Sequence, residues 1–223
     1  MTEINITTVM TDIAIYGAGG LGREVAAMIK MINDRKPTWN FVGFIDDTHT
    51  PGDEISHYGK VIGGRDMLNA MSNPPAIVIC VGSPAARRAI VESITNPAVE
   101  YPNLISPDFV IEDEQTFNMG IGNIIKSHCR VTVNVSVGDF NVLNGMVTFG
   151  HDAKVGNCNV FMPGVRISGE SVIGDCNLFG AGSFVKQGVH VGNGITLSPL
   201  SPLLTRPKDG CTYIGNPAKI FKF

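Results

Sequence analysis

Several features are scarce or missing in this sequence, and each absence narrows the class of protein. No stretch of the 223 residues approaches eighteen consecutive apolar residues, so the sequence predicts no transmembrane helix. Residues 1–12 lack the basic start and apolar stretch of a signal peptide, so we expect a cytoplasmic protein. The net charge is only −3 and basic residues occur as isolated pairs, which argues against nucleic acid or an anionic membrane as partner. The five cysteines form no CxxC pair, which is typical of reduced thiols.

A long run of regularly spaced apolar residues is the most informative pattern that is present. Every sixth residue from 119 to 203 is apolar, without exception. This period fits neither a helix nor a flat strand, and it is typical of three short strands wound into one coil of roughly eighteen residues. The run predicts a parallel β-helix of about four to five coils, whereas the alternative, an all-β sandwich, would show period-two alternation. The anchors are Met119, Ile125, Val131, Val137, Leu143, Phe149, Val155, Phe161, Ile167, Ile173, Phe179, Val185, Val191, Leu197 and Leu203.

Two further positions in each repeat support the β-helix. The residue directly after an anchor is often Gly or Ser, which suits a tight bend where glycine adopts backbone angles that other residues avoid. The residue four after the anchor is often small or β-branched, and we expect it to fill a second inward position. These inward residues are Val135, Val147, Ala153, Val165, Ser171, Ser183, Val189 and Ser201.

The coil period also decides which side chains stack. Cys158 and Cys176 are eighteen residues apart, so we expect them on adjacent coils, packed as small apolar side chains. A catalytic metal site on a β-helix needs several converging histidines. His128, His151 and His190 are separated by 23 and 39 residues, which are not multiples of eighteen, so the sequence predicts no metal.

The first hundred residues follow a different pattern, in which strands alternate with helices. Apolar runs predict strands over residues 12–16, 41–45 and 76–81, and helical spacing predicts helices over 21–32 and from 84 to about 94. This order predicts an α/β, Rossmann-like half domain with a parallel sheet, whose ligands bind beyond the carboxyl ends of the strands.

A glycine-rich turn follows the first strand. Residues 17–22 read Gly-Ala-Gly-Gly-Leu-Gly, a GxGxxG where backbone amides and the helix dipole favour a phosphate group. A glycine turn that only packs the helix on the strand remains the alternative. An acidic pair ends the second strand and is expected to bind a ribose or a base; Arg87 is expected near the same crevice, while Gly63 and Gly64 are interpreted as turn residues. The predicted substrate-binding residues are Gly19, Gly20, Leu21, Asp46, Asp47 and Gly82.

Only one nucleotide-binding half precedes the β-helix, and a dinucleotide such as NAD normally needs two. A nucleotide with a sugar attached fits this space better, although an NAD-dependent oxidoreductase remains an alternative. We place the boundary after residue 105, with a Rossmann-like nucleotide-sugar-binding domain over 1–105 and a β-helix domain over 106–223.

These features together resemble a known family. The GAGGLGRE turn, the aspartate pair, the hexapeptide run and residues 214–219, Ile-Gly-Asn-Pro-Ala-Lys, are similar to the sugar acetyltransferases related to the sialic acid O-acetyltransferase and the bacterial nucleotide-amino-sugar N-acetyltransferases. The resemblance covers almost the whole chain. It implies a left-handed β-helix, a homotrimer, and acetyl-CoA bound in the groove between adjacent chains.

The resemblance also implies site residues. It makes His151 the catalytic base and Asp152 the acidic neighbour that makes this histidine more basic. His151 lies two residues past an anchor, hence on the outer surface, where an imidazole suits proton abstraction at neutral pH. Gly150 stands where relatives often have glutamate, and Val160 where some place a histidine near the thioester. The implied acetyl-CoA-binding residues are Gly180, Ala181 and Pro199.

We therefore expect an acetyl-CoA-dependent acetyltransferase that acts on the amino group of a nucleotide-activated amino sugar in bacterial surface polysaccharide synthesis. Two alternatives are an O-acetyltransferase of a sialic-acid-type sugar and a catalytically inactive nucleotide-sugar-binding scaffold. A trimer is expected because outward apolar residues such as Met162 are otherwise uncovered. We expect no nucleic-acid partner and no membrane insertion.

Overall fold

The computed structural model describes residues 9–222 and contains a small α/β domain followed by a long β-helix. The elements of the α/β domain are β1 (Thr11–Tyr16), α1 (Gly20–Arg35), β2 (Trp39–Ile45), β3 (Val61–Gly63), α2 (Arg65–Ala70), β4 (Ala76–Ile79) and α3 (Pro84–Ser93). Its four strands are all parallel and lie in the order β3-β2-β1-β4. The predicted Rossmann-like sheet is therefore present, with β1 inside the sheet and β4 at one edge.

Two elements of this domain were not predicted. The strand β3 and the helix α2 have only three and six residues, too few to show a period in the sequence. Gly63 and Gly64, predicted as turn residues, instead end β3 and form the N-cap of α2. The helix α1 also continues past its predicted end to Arg35.

The β-helix has three faces, each a parallel sheet built from strands of successive coils. The first face contains β5 (Leu104–Ile105), β8 (Ile124–Ile125), β11 (Val142–Leu143), β14 (Val160–Phe161), β17 (Leu178–Phe179), β20 (Thr196–Leu197) and β22 (Thr212–Ile214), closed by an antiparallel β23 (Lys219–Phe221). The second face contains β6 (Val110–Ile111), β9 (Arg130–Val131), β12 (Thr148–Phe149), β15 (Arg166–Ile167), β18 (Phe184–Val185) and β21 (Pro202–Leu203). The third face contains β7 (Asn118–Met119), β10 (Ser136–Val137), β13 (Lys154–Val155), β16 (Val172–Ile173) and β19 (His190–Val191).

The strand register confirms the predicted coil of eighteen residues. Thr148 pairs with Arg166 on the second face, and the other two faces show the same offset. The anchors point inward; the Phe161 ring contacts that of Phe149 on the second face and that of Phe179 on the next coil of the first face, with ring centroids 5.0 and 4.9 Å apart. The predicted second inward positions are buried as well. Stacking therefore produces one continuous apolar core along the β-helix.

The bends of the coil lie three residues after each anchor. There the backbone is left-handed at every sixth position from 122 to 200, with φ between 53 and 74°. Glycine occupies five of these corner positions, and the others carry side chains despite the steric preference against positive φ. The non-glycine corner residues are His128, Asn134, Phe140, Met146, Asp152, Cys158, Glu170, Cys176 and Leu200.

Glycines directly after an anchor have a different role from the predicted bend. Their φ angles are outside the left-handed region, so the expectation that they form the bend is wrong. At Gly138 a Cβ atom would lie 2.4 Å from Asn157 Oδ1, and at Gly156 it would lie 2.4 Å from Asp175 Oδ1. These positions require glycine because a polar side chain of the next coil occupies the space.

A buried column of asparagines stabilises the corner between the third and first faces. Asn123, Asn141, Asn159 and Asn177 are fully buried and lie eighteen residues apart. In each step the side-chain oxygen accepts from the backbone N–H and the amide of the next asparagine, at 2.8–2.9 and 2.9–3.1 Å. Each amide also donates to a glycine carbonyl of the following coil, for example Asn141 to Gly156 at 2.9 Å. The buried amides of the column are thereby all paired.

We expect replacement of Asn141 by alanine to destabilise the β-helix. The variant leaves the Asn159 backbone N–H and amide without their acceptor, which predicts a loss of about 2–4 kcal/mol in the free energy of unfolding. Urea unfolding followed by circular dichroism measures this loss. Asn118→Ala is the control, because Asn118 is exposed and makes only a 3.4 Å contact with the Thr116 carbonyl, so its loss is expected to change stability by about 0.5 kcal/mol or less. If both variants lower the free energy of unfolding by the same amount, the hydrogen bonds of the buried asparagine column do not stabilise the β-helix more than an exposed asparagine does.

The α/β domain is packed against the first face of the β-helix. Outward side chains of Ile124, Val142 and Val160 share one buried cluster with Val25 and Met28 of α1. Burial of apolar surface on both sides therefore fixes α1 against the coils. None of the helices described within residues 9–222 is long and apolar enough to cross a membrane.

Polar contacts at the rim complete the joint between the domains. Lys126 Nζ lies 2.6 Å from Glu24 Oε2, and Arg88 Nη2 lies 2.9 Å from Asp175 Oδ2. Met162, which we expected to be uncovered, packs against the interdomain cluster. The exposed apolar corner residues are instead Met146 and Leu200, with 59% and 78% exposure.

Candidate active site

His151 and Asp152 form a paired dyad at the corner that follows β12. His151 Nδ1 lies 2.9 Å from Asp152 Oδ2, and both side chains are about half exposed. Because an ionised carboxylate only accepts hydrogen bonds, Nδ1 carries the proton, and the lone pair is left on Nε2. A half-exposed imidazole with this tautomer has the arrangement of a general base.

The electrostatics of the dyad keep the aspartate ionised. The hydrogen bond with His151, followed by that from Asn134, holds the pKa of Asp152 below its usual range. Asp152 has a left-handed backbone, with φ of 58°, and its N–H donates to the Val133 carbonyl of the preceding coil. The corner geometry therefore sets the direction in which the carboxylate reaches back to the imidazole.

Gly169 makes room for the imidazole ring, and Gly150 makes room for the backbone of Gly169. A Cβ atom at Gly169 would lie 2.5–2.8 Å from three ring atoms of His151, Nε2 among them, so the ring rests on this residue. A Cβ atom at Gly150 would lie 2.6 Å from the Gly169 nitrogen. The glutamate that relatives often carry at the position of Gly150 thus has no room in this chain without a shift of the backbone.

A groove on the second face opens next to the dyad. We name it the second-face groove; it has a volume of about 380 Å³. Its lining residues are Thr148, Gly150, Arg166, Ile167, Ser168 and Phe184. The guanidinium carbon of Arg166 lies 6.0 Å from the centre of the Phe184 ring, at the outer limit of a cation–π contact. The groove thus offers a cation and an aromatic ring beside a histidine.

The predicted acetyl-CoA residues lie at the corner between the first and second faces. Gly180 is buried beneath Pro199, whose nitrogen would be 2.4 Å from a Cβ atom at residue 180. The Ala181 carbonyl accepts from the Leu200 N–H at 2.9 Å, and Pro199 itself is exposed. His151 lies at the corner where the second face ends. Within one chain, therefore, the structure places these residues and the dyad at opposite edges of the second face.

The glycine-rich turn after β1 contains two glycines that leave no room for a side chain and two that face open space. A Cβ atom at Gly22 would lie 1.9 Å from the Gly17 carbonyl oxygen, and one at Gly17 would lie 2.7 Å from the Cys80 carbonyl oxygen. Gly19 and Gly20 are exposed at the start of α1, and a Cβ atom added to either would meet no other atom within 4 Å. The open pair therefore leaves the helix N-terminus accessible to an anion.

Leu21 and Gly82 flank the glycine-rich turn. Leu21 is half-buried and packs against the interdomain cluster, so only part of its side chain faces the crevice. Gly82 is exposed three residues after the end of β4, and a Cβ atom added there would meet no other atom within 4 Å. Both residues lie at the carboxyl edge of the sheet, as the topology requires.

The acidic pair after β2 has partners within the chain. Asp46 accepts from the Ala18 N–H at 2.8 Å and from the Thr48 backbone and hydroxyl at 2.8 and 2.6 Å. Burial alone would raise the pKa of Asp46, but these hydrogen bonds outweigh it and hold that pKa far below its usual range. The carboxylate thereby connects the glycine-rich turn to the end of β2.

Asp47 supports the start of α2 instead. Its Oδ1 accepts from the Arg65 N–H at 2.8 Å, and its Oδ2 accepts from the Tyr16 hydroxyl at 2.5 Å. Burial, followed by this hydrogen bond, raises the pKa of Tyr16. Contact of either aspartate with a ribose or a base stays a prediction.

Arg87, which we expected near the crevice, is buried, and so is Val160. Arg87 is fully buried on α3, and its three guanidinium nitrogens have no hydrogen-bond partner within residues 9–222; burial lowers its pKa to about 10. The exposed neighbour Arg88 makes the ion pair with the β-helix. Val160, at the position where some relatives place a histidine near the thioester, lies in the interdomain cluster. Arg87 is buried because of the way α3 is turned, and Val160 is buried because its face of the β-helix packs against the α/β domain. Both depend on tertiary packing.

The described residues contain no group of three His, Cys, Asp or Glu side chains that could hold a metal ion. His128 instead lies 3.0 Å from Asp108, and all five cysteines are free. Cys158 and Cys176 occupy successive corners of the same column, as their spacing predicted.

The sequence did not point to Asn134 and Gly169, which both contact the dyad. Asn134 Nδ2 donates to Asp152 Oδ1 at 3.1 Å, and Gly169 lies under the His151 ring. Each is eighteen residues from the dyad residue that it contacts. The eighteen-residue period of the coil is therefore the sequence signal that could have identified Asn134 and Gly169.

The N-terminal half of the chain matches a known domain family. Residues 12–94 match the model of the PglD N-terminal domain. This part of the chain is similar to that domain, and the match ends before the β-helix begins. No curated protein sequence is similar enough to count as a relative.

Solved structures match the chain over nearly its full length. The acetyltransferase domain of PglB from Neisseria gonorrhoeae FA1090 is 28% identical, with a TM-score of 0.83 and coverage of 95% of this chain and 100% of that one. WeeI from Acinetobacter baumannii AYE is 25% identical, with a TM-score of 0.82 and coverage of 96% and 100%. PerB from Caulobacter crescentus, at 18% identity and a TM-score of 0.85 over 96% and 99%, supports the fold alone. These matches confirm the predicted family resemblance and the fold class, a Rossmann-like domain followed by a left-handed β-helix.

We expect Gly169→Ala to reduce turnover without unfolding the protein. The three atoms nearest to the added methyl group all belong to the imidazole ring, which can swing into solvent, so we expect the coil to be retained and the predicted base to be displaced. Displacement of a catalytic group by about 1 Å typically lowers the rate by 10- to 100-fold. Turnover and the thermal unfolding midpoint should be measured together. A variant with the parent rate would show that the position of the ring on Gly169 is unimportant.

The stability contributed by Asp46 is expected to depend on pH. Its pKa is depressed in the folded chain, so the stabilisation is present above about pH 4 and is lost as the pH falls further. We expect Asp46→Asn to lower the free energy of unfolding by about 1–3 kcal/mol at pH 7 and by clearly less at pH 3. Urea titrations at both pH values measure the difference.

The control for this experiment is Asp34→Asn. Asp34 forms an exposed ion pair with Lys30, at 3.2 Å, and its loss is expected to change stability by about 0.5 kcal/mol or less at either pH. If Asp46→Asn has the same effect at pH 7 and at pH 3, ionisation of Asp46 does not stabilise the fold.

Proposed function

We propose that this chain is an acetyl-CoA-dependent acetyltransferase that acylates the amino group of a nucleotide-activated amino sugar for bacterial surface glycan synthesis. The paired, half-exposed His151–Asp152 dyad next to the second-face groove carries this proposal. The predicted acyltransferase class and acetyl-CoA as co-substrate are supported by a relative, the PglB acetyltransferase domain, whose structure in complex with acetyl coenzyme A is 27% identical to this chain with a TM-score of 0.82.

The proposed reaction is direct acyl transfer. His151 Nε2 takes a proton from the sugar amine, the amine nitrogen attacks the thioester carbonyl carbon, and the C–S bond breaks to release the thiolate of CoA. A main-chain amide stabilises the oxyanion of the tetrahedral intermediate. Asp152 stabilises the imidazolium that forms after proton transfer, because its carboxylate accepts the Nδ1 hydrogen bond.

Acetyl-CoA is proposed to bind along the second face. Arg166 supplies a cation for a phosphate group, and Phe184 supplies an apolar surface beside it. Gly180, Ala181 and Pro199 lie at the opposite edge of this face from His151, so contacts from one chain do not enclose the ligand. A homotrimer, in which the neighbouring chain supplies the other wall of the groove, would complete the site, and the exposed Met146 and Leu200 provide apolar surface for such an interface.

The nucleotide is proposed to bind at the carboxyl edge of the parallel sheet. Gly19 and Gly20 present open backbone at the N-terminus of α1, which suits a diphosphate, and Gly82 gives access beside β4. Asp46 and Asp47 are proposed to orient the sugar nucleotide while they support the adjoining loops. Binding energy from this remote part of the substrate positions the amine for reaction.

The test is release of free thiol from acetyl-CoA with a panel of UDP-, GDP- and dTDP-linked amino sugars. Transfer to one amino sugar supports the proposal, and transfer only to hydroxyl groups of a sialic-acid-type sugar supports the O-acetyltransferase instead. Binding of a nucleotide sugar without any thiol release would identify an inactive scaffold.

We expect His151→Ala to lower turnover by about 10²–10⁴-fold, the usual contribution of general-base catalysis, with little change in folding because the residue is half exposed. Asp152→Asn should have a smaller effect and should move the acidic limb of the pH–rate profile to lower pH, since its negative charge favours the imidazolium. His190→Ala, on the exposed third face, is the control. A folded His151→Ala protein with the parent rate would remove this histidine from the mechanism.

A further inference from the structure

A column of corner residues runs past the dyad. Asn134, Asp152 and Glu170 occupy the same corner of three successive coils, with φ of 55, 58 and 59°, and Gly188 continues the column at φ of 70°. Backbone hydrogen bonds tie these corners together, as in the bond from the Glu170 N–H to the His151 carbonyl at 2.7 Å. The side chains of the column therefore stand at fixed separations.

The two oxygens of the Asp152 carboxylate have different partners. Oδ2 accepts from His151 Nδ1 at 2.9 Å, and Oδ1 accepts from Asn134 Nδ2 at 3.1 Å. The backbone N–H of Asn134 donates to the Thr116 hydroxyl at 2.9 Å, so the backbone from which the amide extends is held in place. The contacts form a chain from Asn134 through Asp152 to His151.

A carboxylate on an exposed corner can rotate freely unless both oxygens are held. Loss of the contact to Oδ1 would let the Asp152 side chain turn away from the imidazole, which would release the ring and weaken the charge that stabilises it. Other charges face the pair: Lys154 lies near Asp152, while Glu170 bonds to Gln187 at 2.9 Å. Neither provides a second hydrogen-bond donor to Asp152 within the described contacts.

We propose that Asn134 is a positioning residue that acts on the base His151 through Asp152. This inference rests on the proposed function, because it assigns a role in the same acyl transfer. Asn134 touches neither the imidazole nor the second-face groove among the described contacts, so its whole effect passes through the carboxylate. The competing interpretation is that Asn134 only accommodates a left-handed corner, a conformation that asparagine tolerates well.

Asn134→Gly separates the two interpretations. Glycine fits the corner, as Gly188 shows in the same column, but it lacks the amide donor. We expect turnover to fall by about tenfold, with unchanged KM for both substrates and a smaller loss than in Asp152→Asn. The acidic limb of the pH–rate profile should move to lower pH, as it does in Asp152→Asn.

The double variant provides the decisive comparison. If Asn134 acts through Asp152, then Asn134→Gly in the Asp152→Asn background should change turnover by less than about twofold. A tenfold loss that persists in this background, or a rise in KM alone, would overturn the proposal. Asn134→Asp, which retains the size and the corner preference but places an oxygen against the carboxylate, should be at least as slow as Asn134→Gly. Parent turnover in both variants would also overturn it.

A measurement without substrate keeps this test independent of the proposed activity. The pH at the midpoint of the His151 ring-proton NMR titration should move in Asn134→Gly in the same direction as in Asp152→Asn, by a smaller amount. If the parent protein releases no thiol with any sugar but the midpoint moves, the acetyltransferase function fails and the positioning role stands. If transfer occurs and the midpoint stays, the positioning role fails alone.

Discussion

Backbone hydrogen bonds between successive coils place each residue of the β-helix directly next to the residue eighteen positions later. This constraint makes side chains of adjacent coils neighbours, although they are far apart in sequence. The buried asparagine column and the glycines beneath Asn157 and Asp175 are direct results of it. The contacts of the dyad with the coils before and after it have the same origin.

The two domains contribute different parts of the candidate site and pack against each other along the first face of the β-helix. The β-helix provides a rigid corner for the dyad, while the α/β domain contributes a helix N-terminus with open glycines. Apolar burial of α1 against the first face fixes the distance between them, because Val25 and Met28 share one cluster with Ile124 and Val142. A substrate held at both ends would therefore meet a reacting group whose position the interdomain packing has already set.

The sequence predicted the elements that have a long run of regularly spaced apolar residues. It missed the short elements and the features that depend on individual tertiary contacts. The anchors specified the β-helix because fifteen consecutive repeats leave no other regular fold, but the three-residue β3 and six-residue α2 were too short to show a period. His151 and Asp152 were predicted from a resemblance, and the structure places them within hydrogen-bond distance of each other. Their roles, like those of Gly180, Ala181, Pro199 and the crevice residues, stay predictions. Burial of Arg87 and Val160 could not be foreseen, because it depends on how the two domains meet.

The left-handed corners at every sixth position also restrict how the length of such a chain can change during evolution. A single inserted residue within a coil would move every later corner out of phase and place glycine columns opposite the wrong side chains. Gain or loss of a whole eighteen-residue coil preserves all the columns. If this happened beyond Gly192, it would leave the dyad and the interdomain cluster untouched, since both lie in earlier coils. Homologous chains can therefore differ in the number of terminal coils while the distance from the α/β domain to the dyad stays the same.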